Sequence, residues 1–183
     1  MLTSRWIYRF RTYWACAPLL FALFFDYSEF ETEGLTWSLA IGIFIVGMGI
    51  RIWAQEHLQH RLRVHKHLTE TGPYRFVRNP LYIGNILICL SATIASELLW
   101  LTPVTLFWCL GTYSLVIRYE ESYLLQKYGD AFHRYLSTVP RWVPRLMLPD
   151  NLELRNRHWW KAIRVELPNL FVLLPYVMKE YLS

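Results

Sequence analysis

Residues 81–117 read LYIGNILICLSATIASELLWLTPVTLFWCLGTYSLVI, and Glu97 is the only charged residue among them. Each half of this stretch approaches the length of about 20 residues that an α-helix needs to cross the ~30 Å apolar core of a bilayer. The acidic residue lies between the halves, where a turn would expose it to water. The stretch therefore predicts two membrane-spanning helices, Leu81–Ser96 and Leu98–Ile117, that form a tight antiparallel hairpin.

Two apolar segments precede this hairpin, and another follows it near the C-terminus. Leu35–Ala54 has the length of a spanning helix, whereas Tyr13–Phe25 crosses the apolar core only if its helix extends back toward the N-terminus. Leu167–Met178 contains two prolines and is short for a span, so it predicts an interfacial helix, with a fifth span as the alternative. The fold prediction is an all-α integral membrane bundle of about four transmembrane helices, with one domain over residues 1–183.

The composition and the charge distribution agree with this prediction. The chain is 54% apolar and 18% charged, below the ~25% of charged residues in typical soluble domains. It has no basic blocks interleaved with polar residues, which argues against nucleic acid as a partner. Acidic residues crowd residues 26–33 and basic residues crowd residues 55–79. The positive-inside rule then predicts a multi-pass protein with both termini and residues 55–79 in the cytoplasm.

The cysteines and histidines do not indicate a metal site. All three cysteines lie inside apolar segments, and no two of them have the spacing of a zinc motif. The histidines at positions 57, 60, 65 and 67 have no companion cluster of Asp and Glu residues. We therefore predict that the protein holds no metal.

The unusual polar residues gather in two segments, residues 65–85 and residues 118–144. The predicted hairpin brings the start of its first helix next to the end of its second. Both segments should therefore meet in one site at the cytoplasmic surface of the membrane.

The first polar segment, HKHLTETGPYRFVRNPLYIGN, has the features of an anion-binding helix start. Gly72-Pro73 indicates a turn, and Pro80 is typical of the first position of a helix. The free N–H groups after Pro80 and the helix dipole favour a carboxylate or a phosphate, and Arg78 is close by. This segment predicts the anion-binding side of the site.

Three polar residues share one face at this helix start. Asn79, Tyr82 and Asn85 follow one another at a spacing of three residues. Asn85 would lie inside a spanning helix, where an amide needs a partner. The alternative is an ordinary helix cap beside the arginines of a cytoplasmic loop.

The second polar segment supplies the opposite charge. Glu120 and Glu121 should end the fourth span at the interface, where a charge is costly unless it is paired or bound. An ion pair with Arg118 or Arg78 is the alternative to a ligand. A ligand that carries a carboxylate together with cationic or hydroxyl groups would suit the two segments together.

The second segment continues into a short helix and a strap. Gly129 is typical of a helix C-cap, and Asp130 of the N-cap of a helix through Leu136. Pro140 and Pro144 should bound an extended strap.

These motifs, in this order and spacing, resemble the isoprenylcysteine carboxyl methyltransferase and phospholipid methyltransferase group of integral membrane enzymes. The resemblance covers about residues 51–144. It rests on RIWA at 51–54, HLT at 67–69, TGPY at 71–74, RNPLYIG at 78–84, EE at 120–121, KYG at 127–129 and VPRWVP at 139–144.

The resemblance implies a site for S-adenosylmethionine at the matching positions. The cofactor-binding residues that it implies are His67, Gly72, Pro73, Tyr74, Arg78, Asn79, Tyr82, Gly84, Asn85, Glu120 and Glu121. The family usually has His where this chain has Asn79, and Asn cannot titrate near neutral pH. The catalytic candidates are therefore Asn79 as a hydrogen-bonding group and His67 or Glu121 for proton transfer.

The activity that the resemblance implies is methyl transfer from S-adenosylmethionine to a lipophilic acceptor in the membrane. The acceptor would be a carboxylate, which needs mainly positioning, or an amine or hydroxyl, which needs a base. The expected partners are therefore membrane lipids or a lipophilic small molecule. An NADPH-dependent reductase of the sterol-reductase type is one alternative, and a non-catalytic membrane scaffold is another.

Overall fold

The computed structural model describes residues 8–25, 33–64, 68–145 and 159–182, and every regular element within these residues is a helix. This confirms the all-α prediction for the described residues. In chain order the helices are α1 (Arg11–Ala15), α2 (Ala17–Phe24), α3 (Glu33–Val64), α4 (Pro73–Phe76), α5 (Pro80–Ala95), α6 (Leu101–Tyr128), α7 (Asp130–Thr138), α8 (Trp159–Leu170) and α9 (Leu174–Leu182).

Two of the described helices are long and apolar enough to cross a membrane. They comprise Gly34–Leu58 within α3 and Leu101–Tyr128, the whole of α6. Helix α5 is apolar but has 16 residues, which give about 24 Å at 1.5 Å per residue. Large apolar side chains on the outer faces of α3 and α6 are exposed, among them Ile45 and Phe107. The fold is therefore all-helical with two candidate spans, and the number of about four spans stays a prediction.

The prediction of one helix over Tyr13–Phe25 is wrong, because a turn at Cys16 divides the segment into α1 and α2. Pro18 has no N–H group that could bond to the carbonyl of Trp14, one helical turn before it. That carbonyl instead accepts a hydrogen bond from Trp108 Nε1 at 2.7 Å. The break therefore ties the N-terminal segment to α6.

Helices α3 and α5 form the most extensive helix contact of the described bundle. They approach so closely that a Cβ atom added at Gly84 would lie 2.8 Å from the carbonyl oxygen of Gly47. Helices α5 and α6 also pack together, and the turn between them contains Glu97 with a positive φ of 61°. The predicted hairpin turn at Glu97 is confirmed.

The C-terminal segment forms two helices instead of the one predicted over Leu167–Met178. Pro175 lies at the second position of α9 and lacks the N–H group that would continue α8. The hydroxyl of Tyr176 donates to the carbonyl of Leu19 at 2.9 Å, and its side chain is buried. These helices therefore pack against the N-terminal half of the bundle, and their position relative to the membrane stays a prediction.

Candidate functional site

A cavity lies where the start of α5, the C-terminal third of α6 and helix α7 meet. Five of the predicted site residues line it: Tyr74, Arg78, Asn79, Glu120 and Glu121. The other lining residues are Leu58, Leu68, Thr69, Leu124, Tyr128, Phe132 and Tyr135. The two polar segments of the sequence thus meet in one site.

Helix α6 places both glutamates on the wall of this cavity. It continues through Tyr128, so Glu120 and Glu121 lie within the helix, and their place at the end of the membrane span stays a prediction. The helix ends at Gly129, whose positive φ of 52° and N–H bond to Leu125 O confirm the predicted C-cap. The same glycine, and not Asp130, is the N-cap of α7, which continues to Thr138 beyond the predicted end.

Glu121 forms an ion-pair triad with two arginines. Arg78 Nη1 donates to Glu121 Oε1 at 2.8 Å, and Arg141 Nη2 donates to Glu121 Oε2. The structure therefore contains the ion pair with Arg78 that the sequence offered as an alternative to a bound ligand. Arg118, the other arginine considered as a partner, is exposed. Hydrogen bonds to a charged donor are roughly twice as strong as neutral ones, so the triad fixes all three side chains.

The strap after α7 lies against the segment before α5. Arg78 N–H donates to the carbonyl of Pro140 at 2.9 Å, and Arg145 N–H donates to the carbonyl of Phe76 at 2.9 Å. These backbone bonds hold Arg141 beside Arg78. The strap predicted from Pro140 and Pro144 thus forms part of the triad.

Glu120 has a different environment. Its Oε1 accepts a hydrogen bond from the Tyr82 hydroxyl at 2.7 Å. The ring of Tyr82 stacks on that of Tyr113, with 4.7 Å between the ring centroids. Tyr82 therefore contacts the site through Glu120 and is not among the lining residues.

Asn79 is the N-cap residue of α5, yet its side chain makes no capping hydrogen bond. Its Nδ2 and the Nε of neighbouring Arg78 are buried and have no hydrogen-bond partner among the described residues. A buried N–H group without a partner costs about 1–3 kcal/mol, and most such groups in proteins are satisfied. Both donors belong to cavity-lining residues, so they fit a ligand that brings acceptor oxygens.

Two tyrosines line the cavity at the contact between α4 and α7. The Tyr135 hydroxyl donates to the carbonyl of Tyr74 at 2.8 Å and joins α7 to α4. Burial raises the pKa of Tyr74 and of Tyr135 well above the ordinary value for a phenol. Both hydroxyls therefore stay protonated at neutral pH, and that of Tyr135 acts as a donor.

Two of the predicted cofactor-binding residues have other contacts in the structure. Gly72 has a positive φ of 61°, and a Cβ atom added there would clash with the ring of His57. Pro73 begins α4 and is buried. Neither residue is among those that line the cavity.

Gly84 and Asn85 also lie away from the cavity, at the contact between α3 and α5. Asn85 Oδ1 accepts from Arg51 Nη1, and Gly84 is the glycine that allows the close approach of the two helices. His67 lies outside the described residues. The structure thus brings together the five lining residues and Tyr82, and places the other described candidates in packing contacts.

Sequence reasoning placed residues 118–144 in the site but singled out neither Arg141 nor a cavity-lining residue of helix α7. The cavity face of α7 carries Phe132 and Tyr135, which pack with Val139 in a small apolar cluster. Their spacing of three and four residues is the signal of an amphipathic helix and could have identified this face. Arg141 gave no comparable signal, because its partner is 20 residues away in the sequence.

No group of three or more His, Cys, Asp or Glu side chains within the described ranges could hold a metal ion. Cys89 and Cys109 are buried as free thiols. The absence of a metal site stays a prediction, because His65 and His67 lie outside these ranges.

Two curated proteins are similar to parts of this chain. The cobalt-zinc-cadmium resistance protein CzcN of Cupriavidus metallidurans is 31% identical over 108 residues, which make up 59% of this chain and 48% of that protein. The nickel-cobalt-cadmium resistance protein NccN of Alcaligenes xylosoxydans xylosoxydans is 27% identical over 134 residues, 71% of this chain and 61% of that protein. The chain therefore spans between about half and three fifths of the length of these curated relatives.

No solved structure matches the chain significantly. The family model of the phospholipid methyltransferases matches residues 35–131, more than half of the chain, and covers α3, α5 and all of α6. This match confirms the resemblance found in the motifs. The chain belongs to the phospholipid methyltransferase family.

Proposed function

We propose that this protein transfers a methyl group from S-adenosylmethionine to a lipophilic acceptor at the cytoplasmic face of a membrane. The observation that carries the proposal is a pair of buried donors without a described partner, Asn79 Nδ2 and Arg78 Nε, on two residues that line the same cavity as Glu120. The methionine part of this cofactor has a carboxylate beside cationic groups. The cavity offers a matching group for each charge, and membership in the family supports this choice of cofactor.

The two unpartnered donors would hold the cofactor carboxylate. The triad with Glu121 fixes the Arg78 guanidinium through Nη1 and leaves Nε available. Asn79 is fixed by its position at the N-cap of α5, where the helix dipole also favours an anion. A preorganised site of this kind loses little conformational entropy when the ligand binds.

When bound, the cofactor supplies an electrophilic methyl group, and the protein's part is to position the acceptor and to exclude water. Apolar side chains lie on two sides of the cavity, Leu124 on α6 and Phe132 on α7. An amine or hydroxyl acceptor also needs a base. Glu121 is poorly suited to that role, because both of its oxygens accept hydrogen bonds from guanidinium groups. His67 therefore remains the candidate from the sequence, and Asn79 acts by hydrogen bonding.

The acceptor would enter from the bilayer. Exposed apolar side chains on α3 and α6, such as Ile45 and Phe107, offer faces to lipid tails. The cavity lies near the end of α5 that the charge distribution assigns to the cytoplasm. A multi-pass topology with about four spans would thus let the lipid acceptor and the water-soluble cofactor meet at one membrane surface.

The alternatives have less support. An NADPH-dependent reductase would use the same bundle, but no contact in the cavity favours a nicotinamide. A scaffold would not need two buried donors without partners. The names of the two relatives suggest a role in metal resistance, but no group within the described ranges could hold a metal.

A methyl-transfer assay tests this proposal. Purified protein in lipid nanodiscs is incubated with S-adenosylmethionine labelled on the methyl group and a membrane lipid extract. We expect label in the lipid fraction, and less label with Asn79→Ala, because its cofactor binding should be weaker. Ser122→Ala is the matched control, because Ser122 is an exposed residue on α6 that bonds only to the carbonyl of Tyr119. Absence of label in every lipid fraction, together with oxidation of NADPH by the same sample, would favour the reductase.

A further inference from the structure

The C-terminal helices α8 and α9 contact the bundle at both of its ends. At the cavity end, Glu166 on α8 accepts from Arg51 Nε at 2.6 Å, and Arg51 also donates to Asn85 in the second turn of α5. At the other end, Lys179 Nζ on α9 donates at 2.8 Å to the carbonyl of Phe25, the C-cap residue of α2. The segment between these contacts therefore runs along the bundle and not across one end of it.

The aromatic contacts of α2 show which end of the bundle Phe25 marks. The ring of Phe21 stacks on that of Phe25, with 5.1 Å between centroids, and lies edge-on to that of Trp100, with 6.1 Å between centroids. Trp100 is the N-cap of α6, in the turn between α5 and α6. From Asn85 to Ala95, the last residue of α5, the distance is about 15 Å at 1.5 Å per residue. The C-terminal segment therefore extends along more than half of α5.

Between these two ends, α9 is packed into the apolar core. Tyr176 is buried, and its hydroxyl donates to the carbonyl of Leu19, which lies about 9 Å from Phe25 along α2. Val172 and Leu173 pack against the same core. A helix in the plane of the membrane surface contacts a bundle at one level. The contacts of α8 and α9 are instead distributed between the two ends.

The break between α8 and α9 keeps its backbone hydrogen bonds inside the segment. Two prolines interrupt the segment, yet the N–H groups of Phe171, Val172 and Leu174 donate to carbonyls three residues earlier at 3.2–3.3 Å. Two further N–H groups in the first turn of α9 donate to the carbonyl of Leu173 at 3.1 Å. Proline is tolerated within a membrane when local adjustments of this kind satisfy the backbone. The break is therefore compatible with an apolar environment.

The outer face of these two helices is apolar. Leu167, Phe171, Leu174 and Met178 are each at least 43% exposed. The two candidate spans, α3 and α6, also expose large apolar side chains. Glu166 is sealed and paired with Arg51, as a charge at membrane depth requires. Lipid hydrocarbon chains suit this outer face.

We infer that α8 and α9 form one interrupted membrane pass with lipid chains against its apolar face, and that α9 ends on the opposite side of the membrane from residues 55–79. Residues 159–182 give about 36 Å at 1.5 Å per residue, enough for an apolar core of ~30 Å. Lys161 and Arg164 lie near the start of the pass, where the positive-inside rule favours them.

This topology differs from two predictions made from the sequence, the interfacial helix over Leu167–Met178 and the cytoplasmic C-terminus. The sequence favoured an interfacial helix because the apolar stretch is short. The structure adds α8 before that stretch and seals its acidic residue against α3. The inference does not depend on the proposed function.

Labelling of introduced cysteines with a maleimide that cannot the bilayer cross tests the topology, in intact and in permeabilised vesicles of one orientation. The parent gives the background, since its three cysteines lie in apolar segments. Glu70→Cys and Thr32→Cys mark the basic and the acidic connection. We expect Ser183→Cys to react from the side of Thr32→Cys. Reaction from the side of Glu70→Cys would overturn the inference.

Spin labels at exposed positions give a second readout, because collisions with oxygen and with a water-soluble nickel complex report the depth of a label in the bilayer. An interrupted pass predicts that Phe171→Cys lies deepest, about 16 Å deeper than Trp160→Cys, and that Met178→Cys is shallower again. Phe107→Cys on the candidate span α6 is the matched control for a label that faces lipid. Equal depths at positions 160, 171 and 178 would indicate helices that lie on the membrane and would contradict the inference.

Discussion

Two arginine–glutamate clusters in this protein are built from the same kinds of residues but differ in how completely their hydrogen bonds are satisfied. Between α3, α5 and α8, Arg51 donates to Glu166 through Nε at 2.6 Å and Nη2 at 3.0 Å. Asn169 donates to the same carboxylate at 2.7 Å, and Asn85 accepts from Arg51. The second cluster is the triad of Glu121 with two arginines beside the cavity.

The two clusters differ in whether they leave buried hydrogen-bond donors without a partner. No buried polar atom of the Arg51–Glu166 cluster lacks a partner among the described residues, and the Glu166 side chain is 1% exposed. Beside the triad, Arg78 Nε, Arg141 Nε and Asn79 Nδ2 are buried without a partner. A satisfied and sealed cluster holds helices together, whereas unpartnered donors beside a cavity indicate a binding site. The comparison thus teaches that an ion pair alone does not identify a functional site.

The largest effect is expected from Glu166→Gln in the sealed cluster. Removing one charge of a buried ion pair typically costs about 3–5 kcal/mol, because Arg51 would stay buried without compensation. Unfolding in detergent by heat or denaturant should therefore show a large loss of stability. The matched control is Glu70→Gln at an exposed position, which should unfold like the parent. Equal stability of the two variants would show that the Arg51–Glu166 pair does not hold the bundle.

A smaller effect, on binding and not on stability, is expected from Asn79→Ala beside the cavity. Since Asn79 makes no capping hydrogen bond, its loss should leave the unfolding temperature nearly unchanged. Cofactor binding should weaken by about 1–3 kcal/mol as a ligand acceptor loses its donor.

Asn79→His sharpens the same prediction, because it restores the residue that the family usually has. It should preserve binding, with any new pH dependence near a histidine pKa of about 6.5. Affinities of the three proteins between about pH 5.5 and 8 check this, a range that brackets that pKa. Equal affinities for Asn and Ala would mean that position 79 serves only as a helix cap.

The smallest effect is expected from Tyr135→Phe, which removes the hydrogen bond to the carbonyl of Tyr74. The loss should be about 0.5–1.5 kcal/mol in stability. Because burial raises the pKa of Tyr135 in the folded protein, the folded state retains a proton that the unfolded state loses above about pH 10. Stability should therefore fall as the pH rises above that value, and it should fall less steeply in Tyr135→Phe. Identical slopes in the two proteins would show that Tyr135 does not contribute to the pH dependence.

Much of the local structure follows from the sequence. Glu97 identified the hairpin turn, Pro80 the start of α5 and Gly129 the end of α6, because each depends on a residue type with a specific backbone preference. The meeting of the two polar segments followed from the hairpin alone. Each of these features depends on residues that are close together in the sequence or on helices joined by a short connection.

What the sequence could not predict depends on distant partners. Arg51 and Glu166 are 115 positions apart, so no pattern in either segment indicates that they form a pair. Gly84 looked like a site residue because it ends the motif at 78–84, and Asn85 because it is an amide inside a spanning helix, but the helix turns both toward α3. Helix α6 extends past the predicted end of the span because apolarity identifies the membrane segment and not the end of the helix.

The most direct test of the account is a calorimetric titration of the purified parent protein and of Asn79→Ala with S-adenosylmethionine, S-adenosylhomocysteine and NADPH. The account predicts that the parent binds both S-adenosyl ligands and not NADPH, and that Asn79→Ala binds both of them more weakly while it stays folded. Binding of NADPH alone, or equal binding of S-adenosylmethionine by the two proteins, would contradict it.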